Sequence, residues 1–139
     1  MIPYGRQDIT QDDIDAVLKV LKSDFLTQGP VVPDFENKIA NYVGVDHAIV
    51  FNSATSALHT ACLALNLGPG DWLWTSPISF VASANCGLYC GAKIDFIDIN
   101  PETFNICPLE LEQQLIRAKT LTNLPKVLAQ VQMCGHASD

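Results

Sequence analysis

The sharpest candidate for chemistry is a run of small and hydroxyl-bearing residues, NSATS at positions 52–56, between an apolar strand pattern and a helical one. The first N–H groups of a helix have no partner within it, and the helix dipole makes them an anion site. The hydroxyls of Thr55 and Ser56 would add two donors. The segment predicts either a phosphate site at the end of a strand or an ordinary capped helix start.

Two common nucleotide-binding motifs are absent from the sequence. The 52–56 segment lacks the lysine of a GxxxxGK[ST] loop, and no GxGxxG fingerprint occurs. A Walker-type site and a Rossmann dinucleotide site are therefore disfavoured.

A second strand pattern ends at Thr75, and the segment that follows turns into a helix predicted over residues 80–90, with an aromatic residue, Phe80, in its first turn. Ligands of open α/β sheets bind at the carboxyl ends of the strands. The Phe80 ring could stack there on a planar heterocycle. A plain core position is the alternative.

Apolar periodicity and chain breakers alternate between helix and strand. The first predicted helix follows a cap at Thr10, the second runs from about Pro33 to Gly44, and the third follows Ser56. Two more are predicted at residues 80–90 and 108–117. The predicted strands cover residues 47–51, 72–75, 93–99 and 126–132. Such alternation predicts an α/β fold with a mostly parallel sheet. Because no closing helix follows the last strand, we expect the domain to continue past Asp139.

Two predicted helices carry an apolar face. In the first, Ile14, Val17, Leu18 and Leu21 fall on one face, and in the second the pattern predicts that Phe35, Ile39, Tyr42 and Val43 point inward.

Composition bounds the function. Fifteen acidic and eight basic residues give a formal net charge of −7 without a basic cluster, which argues against nucleic acid as a partner. The sequence has no apolar run of membrane-spanning length and no secretory signal, so we expect a cytoplasmic protein and no membrane contact. Five cysteines without CxxC spacing predict small buried hydrophobes and no metal site.

Three segments of the sequence together resemble a known family. The segments NSATSALHTACLAL (residues 52–65) and TSPISFVASANCGLYCGA (residues 75–92), preceded by LTQGP (residues 26–30), resemble the DegT/DnrJ/EryC1/StrS family of aminotransferases, which use pyridoxal 5'-phosphate (PLP). The resemblance implies the large domain of a fold type I aminotransferase, with three layers (α/β/α). Residues 1–139 would be the N-terminal part of that PLP-binding domain, without the rest of it and without the small C-terminal domain.

The resemblance also implies roles for individual residues. Thr55 and Ser56 would hold the PLP phosphate, with Ala54 where the family usually has glycine, and Phe80 would stack on the pyridine ring. The pocket for the nucleotide sugar would be lined by Tyr4, Asp24, Phe25, Leu26 and Thr27. His136 stands where the family commonly has glutamine.

Two residues that the family uses in catalysis have no match here, and no residue of this chain is expected to be catalytic. The aspartate that pairs with the pyridinium nitrogen and the lysine that carries PLP both lie downstream of position 139 in the family. None of the lysines present stands at a matching position: Lys19, Lys22, Lys38, Lys93, Lys119 and Lys126. This chain alone is therefore expected to be inactive and to bind PLP weakly or not at all.

The activity implied for the full-length protein is transfer of an amino group from glutamate to the C4 ketone of a UDP-linked 4-keto-6-deoxy sugar. Within the family, the two long segments are most similar to members of pseudaminic acid biosynthesis. The product would serve surface polysaccharide or flagellin glycan synthesis, and a homodimer is implied. Another nucleotide keto-sugar as substrate, or a non-catalytic fragment with only binding or assembly contacts, remains open as an alternative.

Overall fold

The computed structural model describes residues 5–138. The chain folds into two compact units, the first reaching Val50 and the second beginning at Phe51. Tyr4, one of the residues assigned to the sugar-nucleotide pocket, lies outside the described residues.

The first unit contains two helices, α1 (Gln11–Leu21) and α2 (Val31–Val43). Thr10 caps α1 reciprocally: its Oγ1 accepts from the Asp13 N–H at 3.4 Å, and the Asp13 carboxylate accepts from the Thr10 N–H at 2.8 Å. The helix α2 begins at Val31, earlier than predicted, and ends at Gly44, whose φ of +73° suits glycine.

The prediction that the apolar face of α2 points inward is wrong, since its four residues are exposed: Phe35, Ile39, Tyr42 and Val43. The residues that share one face of α1 are exposed as well: Ile14, Val17, Leu18 and Leu21. Ala40 is the buried residue of α2. Periodicity identifies which face of a helix is apolar, but it does not supply the surface that covers this face.

The predicted buried strand at residues 47–51 is also wrong. These residues form neither helix nor strand, and Ile49, Val50 and Phe51 are exposed. The Val50 N–H donates to the Glu36 carboxylate at 2.9 Å, and thus bonds a side chain of α2. A strand requires a paired neighbour as well as β-forming residues, and no strand among residues 5–138 pairs with this segment.

Residues 51–138 of the second unit form three α-helices, three strands and one short 3₁₀ turn, Met133–Gly135. The helices are α3 (Ala54–Ala64), α4 (Ala82–Tyr89) and α5 (Pro108–Leu121), and the strands are β1 (Trp72–Thr75), β2 (Lys93–Phe96) and β3 (Val127–Ala129). The strand order is β2-β1-β3 and both pairings are parallel. The predicted parallel sheet is therefore confirmed, although β2, β3 and α4 are shorter than predicted and α5 is longer.

Different helices cover the two faces of the central strand. Leu73 packs with Cys62 of α3 and Cys86 of α4 on one face, and Trp74 packs near Ala118 of α5 on the other. The connections β1–α4–β2 and β2–α5–β3 run in opposite directions along the sheet, so right-handed crossovers place α4 and α5 on opposite faces. The second unit is a three-layer α/β/α structure, and the predicted fold class is confirmed.

The cysteines only partly follow the prediction of small buried hydrophobes. Cys62 and Cys86 are buried, whereas Cys90 and Cys107 are half-buried and Cys134 is exposed. Burial, together with the neighbouring Cys86 and Cys90, raises the pKa of the Cys62 thiol to about 12. Cys62 therefore stays protonated at neutral pH and behaves as a core residue.

Among residues 5–138 there is no helix whose length and apolar character would let it cross a membrane.

Candidate cofactor site

The N-terminus of α3 leaves two backbone donors free. The Ser53 Oγ accepts from the Ser56 N–H at 3.2 Å, and the Ser53 carbonyl accepts from the Ala57 N–H at 3.1 Å. The N–H groups of Ala54 and Thr55 meet no acceptor among residues 5–138. The first turn of α3 contains no acidic side chain to compete for them. These two N–H groups are available to an anion.

Side chains around this turn favour close approach by such an anion. Ala54 is small and exposed, while Thr55 and Ser56 are half-buried. The hydroxyls of Ser53 and Ser56 lie 3.0 Å apart. When one of these hydroxyls donates to the other, the proton of the accepting hydroxyl stays available for a ligand. The predicted phosphate residues thus fall together on one helix turn.

The position of α3 relative to the sheet follows from contacts at its other end. The Lys126 Nζ, just before β3, donates to the Asn66 carbonyl at 2.6 Å and to the Asp71 carboxylate at 2.9 Å. The C-terminus of α3 therefore lies where the strands begin, which we call the amino edge. Its N-terminus lies toward the opposite side, where the strands end, which we call the carboxyl edge. This edge is the usual location of ligands in open parallel sheets.

Phe80 lies on the loop that leaves β1 at the carboxyl edge. The prediction that it sits in the first turn of a helix is wrong, since α4 begins at Ala82. Its side chain is 76% exposed, so it is not a core residue in this chain. A hydrogen bond of 3.0 Å from Ser79 Oγ to Ser83 Oγ ties the loop to α4. The ring is therefore carried at the carboxyl edge with its surface free for stacking.

The three lysines of the second unit all lie away from this edge. Lys93 and Lys126 stand at the starts of β2 and β3, and Lys119 is in the last turn of α5, which leads back to the amino edge. The Lys93 Nζ is 5.3 Å from the centre of the Trp72 ring. None of the three is placed to reach a ligand at the N-terminus of α3.

The Lys126–Asp71 pair instead stabilises the amino edge. Hydrogen bonds from Lys126 and from the Gly68 N–H lower the pKa of the Asp71 carboxyl. A carboxyl with a lowered folded-state pKa stabilises the fold above its unfolded pKa. This contribution is lost as the pH falls through the folded value. The pair is exposed enough that its contribution is small.

Four of the five residues predicted to line the sugar-nucleotide pocket lie on the exposed loop between α1 and α2: Asp24, Phe25, Leu26 and Thr27. Phe25 and Leu26 line a groove of about 640 Å³, while Asp24 and Thr27 are not among its lining residues. Lys19, which was not among the predicted pocket residues, also lines this groove. A basic residue in the last turn of the helix before the loop was the signal that could have identified it.

Comparison with known proteins supports the family resemblance. The sequence profile of the DegT/DnrJ/EryC1/StrS aminotransferase family matches residues 7–139. A UDP-4-amino-4,6-dideoxy-N-acetyl-beta-L-altrosamine transaminase of Campylobacter jejuni is 48% identical over 120 residues, which are 86% of this chain and 31% of that protein. The chain thus spans about a third of the length of this curated relative.

Solved structures have the same fold. The aminotransferase PseC of Helicobacter pylori, involved in the biosynthesis of pseudoaminic acid, superimposes with a TM-score of 0.86 at 37% identity, over 99% of this chain and 36% of that one. The proposed sugar aminotransferase Spr1654 of Streptococcus pneumoniae, in its PLP form, gives a TM-score of 0.78 at 32% identity, over 81% and 29%. The chain therefore belongs to the DegT/DnrJ/EryC1/StrS aminotransferase family.

Proposed function

We propose that residues 1–139 are the N-terminal part of the PLP-binding large domain of a sugar aminotransferase. The full protein would move an amino group from glutamate to the C4 ketone of a UDP-linked 4-keto-6-deoxy sugar, and would act as a homodimer. The observation that carries this proposal is the helix start of α3, with two free N–H groups, on the same edge of the sheet as the exposed Phe80 ring.

The donor groups present at this edge fit PLP. Its phosphate is an anion that needs several hydrogen-bond donors, and the N–H groups of Ala54 and Thr55 with the hydroxyls of Thr55 and Ser56 offer them. Its pyridine ring is flat and aromatic, and Phe80 offers an exposed ring at the same edge. Ala54 adds only a methyl group at the position where the phosphate would approach.

When bound, PLP supplies the electron sink that transamination requires. The residues of this chain would bind and orient it. The α3 N-terminus would fix the phosphate, and Phe80 would cover one ring face and exclude water from it. We assign no proton transfer to residues 1–139, because the lysines of the second unit lie at the amino edge.

The sugar-nucleotide substrate is proposed to bind the α1–α2 loop. The name of the Campylobacter relative, a UDP-sugar transaminase, supports this substrate class. Tyr4, Asp24, Phe25, Leu26 and Thr27 remain our candidates for its pocket. Lys19 adds a positive charge beside Phe25 and Leu26, where it could pair with a diphosphate.

Reduction with borohydride tests the expectation that no lysine of this chain carries PLP. After incubation of the 139-residue chain with PLP, we expect borohydride to leave no lysine modified stoichiometrically. No lysine of the second unit lies at the carboxyl edge, and none in the chain matches the position of the family's PLP-carrying lysine. Mass spectrometry of the digested chain measures the modification at each lysine. A stoichiometric, reducible adduct on one lysine, above all Lys93 or Lys126, would contradict the proposal. The proposed amino transfer itself is tested on the full protein, assayed with glutamate and a UDP-4-keto-6-deoxy sugar.

A further inference from the structure

Asn105 is a buried polar residue that the proposed function does not use. It lies beyond the carboxyl end of β2, on the segment that leads to α5, and its side chain is only 2% exposed. Its amide group is nonetheless fully engaged with another segment. The Oδ1 accepts from the Met133 N–H at 2.8 Å, and the Nδ2 donates to the carbonyls of His136 and Ala137 at 3.0 and 3.3 Å. One side chain thus contacts both ends of residues 133–137.

The turn that Asn105 contacts carries backbone strain. Met133–Gly135 forms a single 3₁₀ turn in which Cys134 has φ +54° and Gly135 has φ +78°. A non-glycine residue in this left-handed region persists only when the surrounding structure holds it there. Within the turn itself, only the N–H groups of Gly135 and His136 are bonded, to Gln132 and Met133. The three bonds of Asn105 supply the additional constraint.

The turn also lies beside the proposed cofactor site. It follows β3, and β3 is hydrogen-bonded to β1 up to their carboxyl ends, where the Thr75 Oγ1 donates to the Ala129 carbonyl at 2.8 Å. The loop that leaves β1 carries Phe80. The exits of β1 and β3 are therefore neighbours at the carboxyl edge.

We infer that Asn105 is a positioning residue, which fixes the strained 133–137 turn as one wall of the cofactor site. This inference rests on the proposed function for the identity of the ligand. Asn105 acts through the backbone of the turn and does not itself contact the cofactor. The 133–137 turn also carries the exposed His136 at the carboxyl edge.

Hydrogen exchange on the 139-residue chain tests the positioning role. In the variants Asn105→Ala and Asn105→Asp we expect exchange in residues 133–137 to accelerate at least about 10-fold, the effect of losing roughly one to two hydrogen bonds. Peptides from β1 should keep their protection. Asn105→Asp preserves shape and replaces the donor facing two carbonyls with an acceptor, so its effect cannot be attributed to a cavity.

Asn100→Asp is the matched control, because the Asn100 side chain uses only its Oδ1, which accepts from the Glu102 N–H at 2.8 Å, and an aspartate keeps that acceptor. This variant should leave exchange in residues 133–137 unchanged. A second substitution tests the strain. Cys134→Gly removes the cost of the positive φ, so the double variant Asn105→Ala/Cys134→Gly should recover part of the lost protection.

Equilibrium dialysis with PLP connects the turn to the site. We expect the dissociation constant of PLP to rise about 3- to 10-fold in Asn105→Asp, which is a loss of binding free energy of at most about 1.4 kcal/mol. The dissociation constant should be unchanged in Asn100→Asp. Unchanged exchange in residues 133–137, or faster exchange with unchanged PLP affinity, would overturn the inference. If the wild-type chain binds no PLP, a result that the missing lysine also allows, the exchange data decide alone, and unchanged exchange in residues 133–137 overturns the inference.

Discussion

Replacing Thr55 with glutamate is expected to weaken PLP binding to the chain at least about 10-fold and to leave α3 intact. The substitution puts a carboxylate among the donors proposed for the phosphate and removes one hydroxyl. A hydrogen bond to a charged group is worth about 1.5–3 kcal/mol, and like-charge repulsion adds to its loss. A glutamate in the first turn of a helix interacts favourably with its dipole, so the helix should not be destabilised. Equilibrium dialysis measures the affinity, and circular dichroism measures the helix content.

The matched control is Thr60→Glu. Thr60 is exposed on the same helix, farther along from its N-terminus, and the substitution adds the same charge. We expect this variant to bind PLP as the wild type does. Equal losses of affinity in both variants would show that net charge, and not the phosphate site, controls binding. Unchanged affinity in Thr55→Glu would show that the phosphate binds elsewhere.

Replacing Leu73 with alanine is expected to lower the free energy of unfolding of the second unit by about 2–5 kcal/mol. Leu73 has 0% exposure at the centre of the sheet and packs against α3 and α4. Its surroundings cannot close over a cavity easily, because Gly87 of α4 already lies against it. A Cβ on Gly87 would come within 3.1 Å of the Leu73 Cβ. Urea denaturation measures the change, with the fluorescence of Trp72 and Trp74 as the signal.

Leu63→Ala provides the comparison for this stability effect. Leu63 belongs to α3 but is 52% exposed, so its truncation should cost well under about 1 kcal/mol. A similar loss in both variants would contradict the assignment of the core to the α3–α4 face of the sheet.

The sequence predicted well those features that depend on neighbouring residues. The cap at Thr10 and the end of α2 at Gly44 were predictable because a side-chain cap and a left-handed glycine act within one helix turn. The strand at residues 72–75 was predicted with its observed bounds. The start of α3 next to small and hydroxyl-bearing residues follows from the same local logic, while the role of these residues as a phosphate site stays a prediction.

Features that depend on distant partners were not predictable in this way. The 47–51 segment has the composition of a strand but no paired neighbour among the described residues. The start of α4 was placed too early, because apolar periodicity does not distinguish the Phe80 loop from a helix turn. Asn105 has no sequence motif: its contacts to residues 133–137 span about thirty positions and appear only in the folded chain.

The amide shifts of the chain on titration with PLP test the central claim most directly. In a ¹⁵N-labelled sample, we expect the largest changes at Ala54, Thr55 and Ser56 and a second group at residues 79–81, because the phosphate and the ring would contact these two places. Inorganic phosphate should reproduce the first group of changes without the second. Changes concentrated at the amino edge around Lys93 and Lys126, or saturable changes elsewhere that leave Ala54 and Thr55 unaffected, would contradict the proposed site.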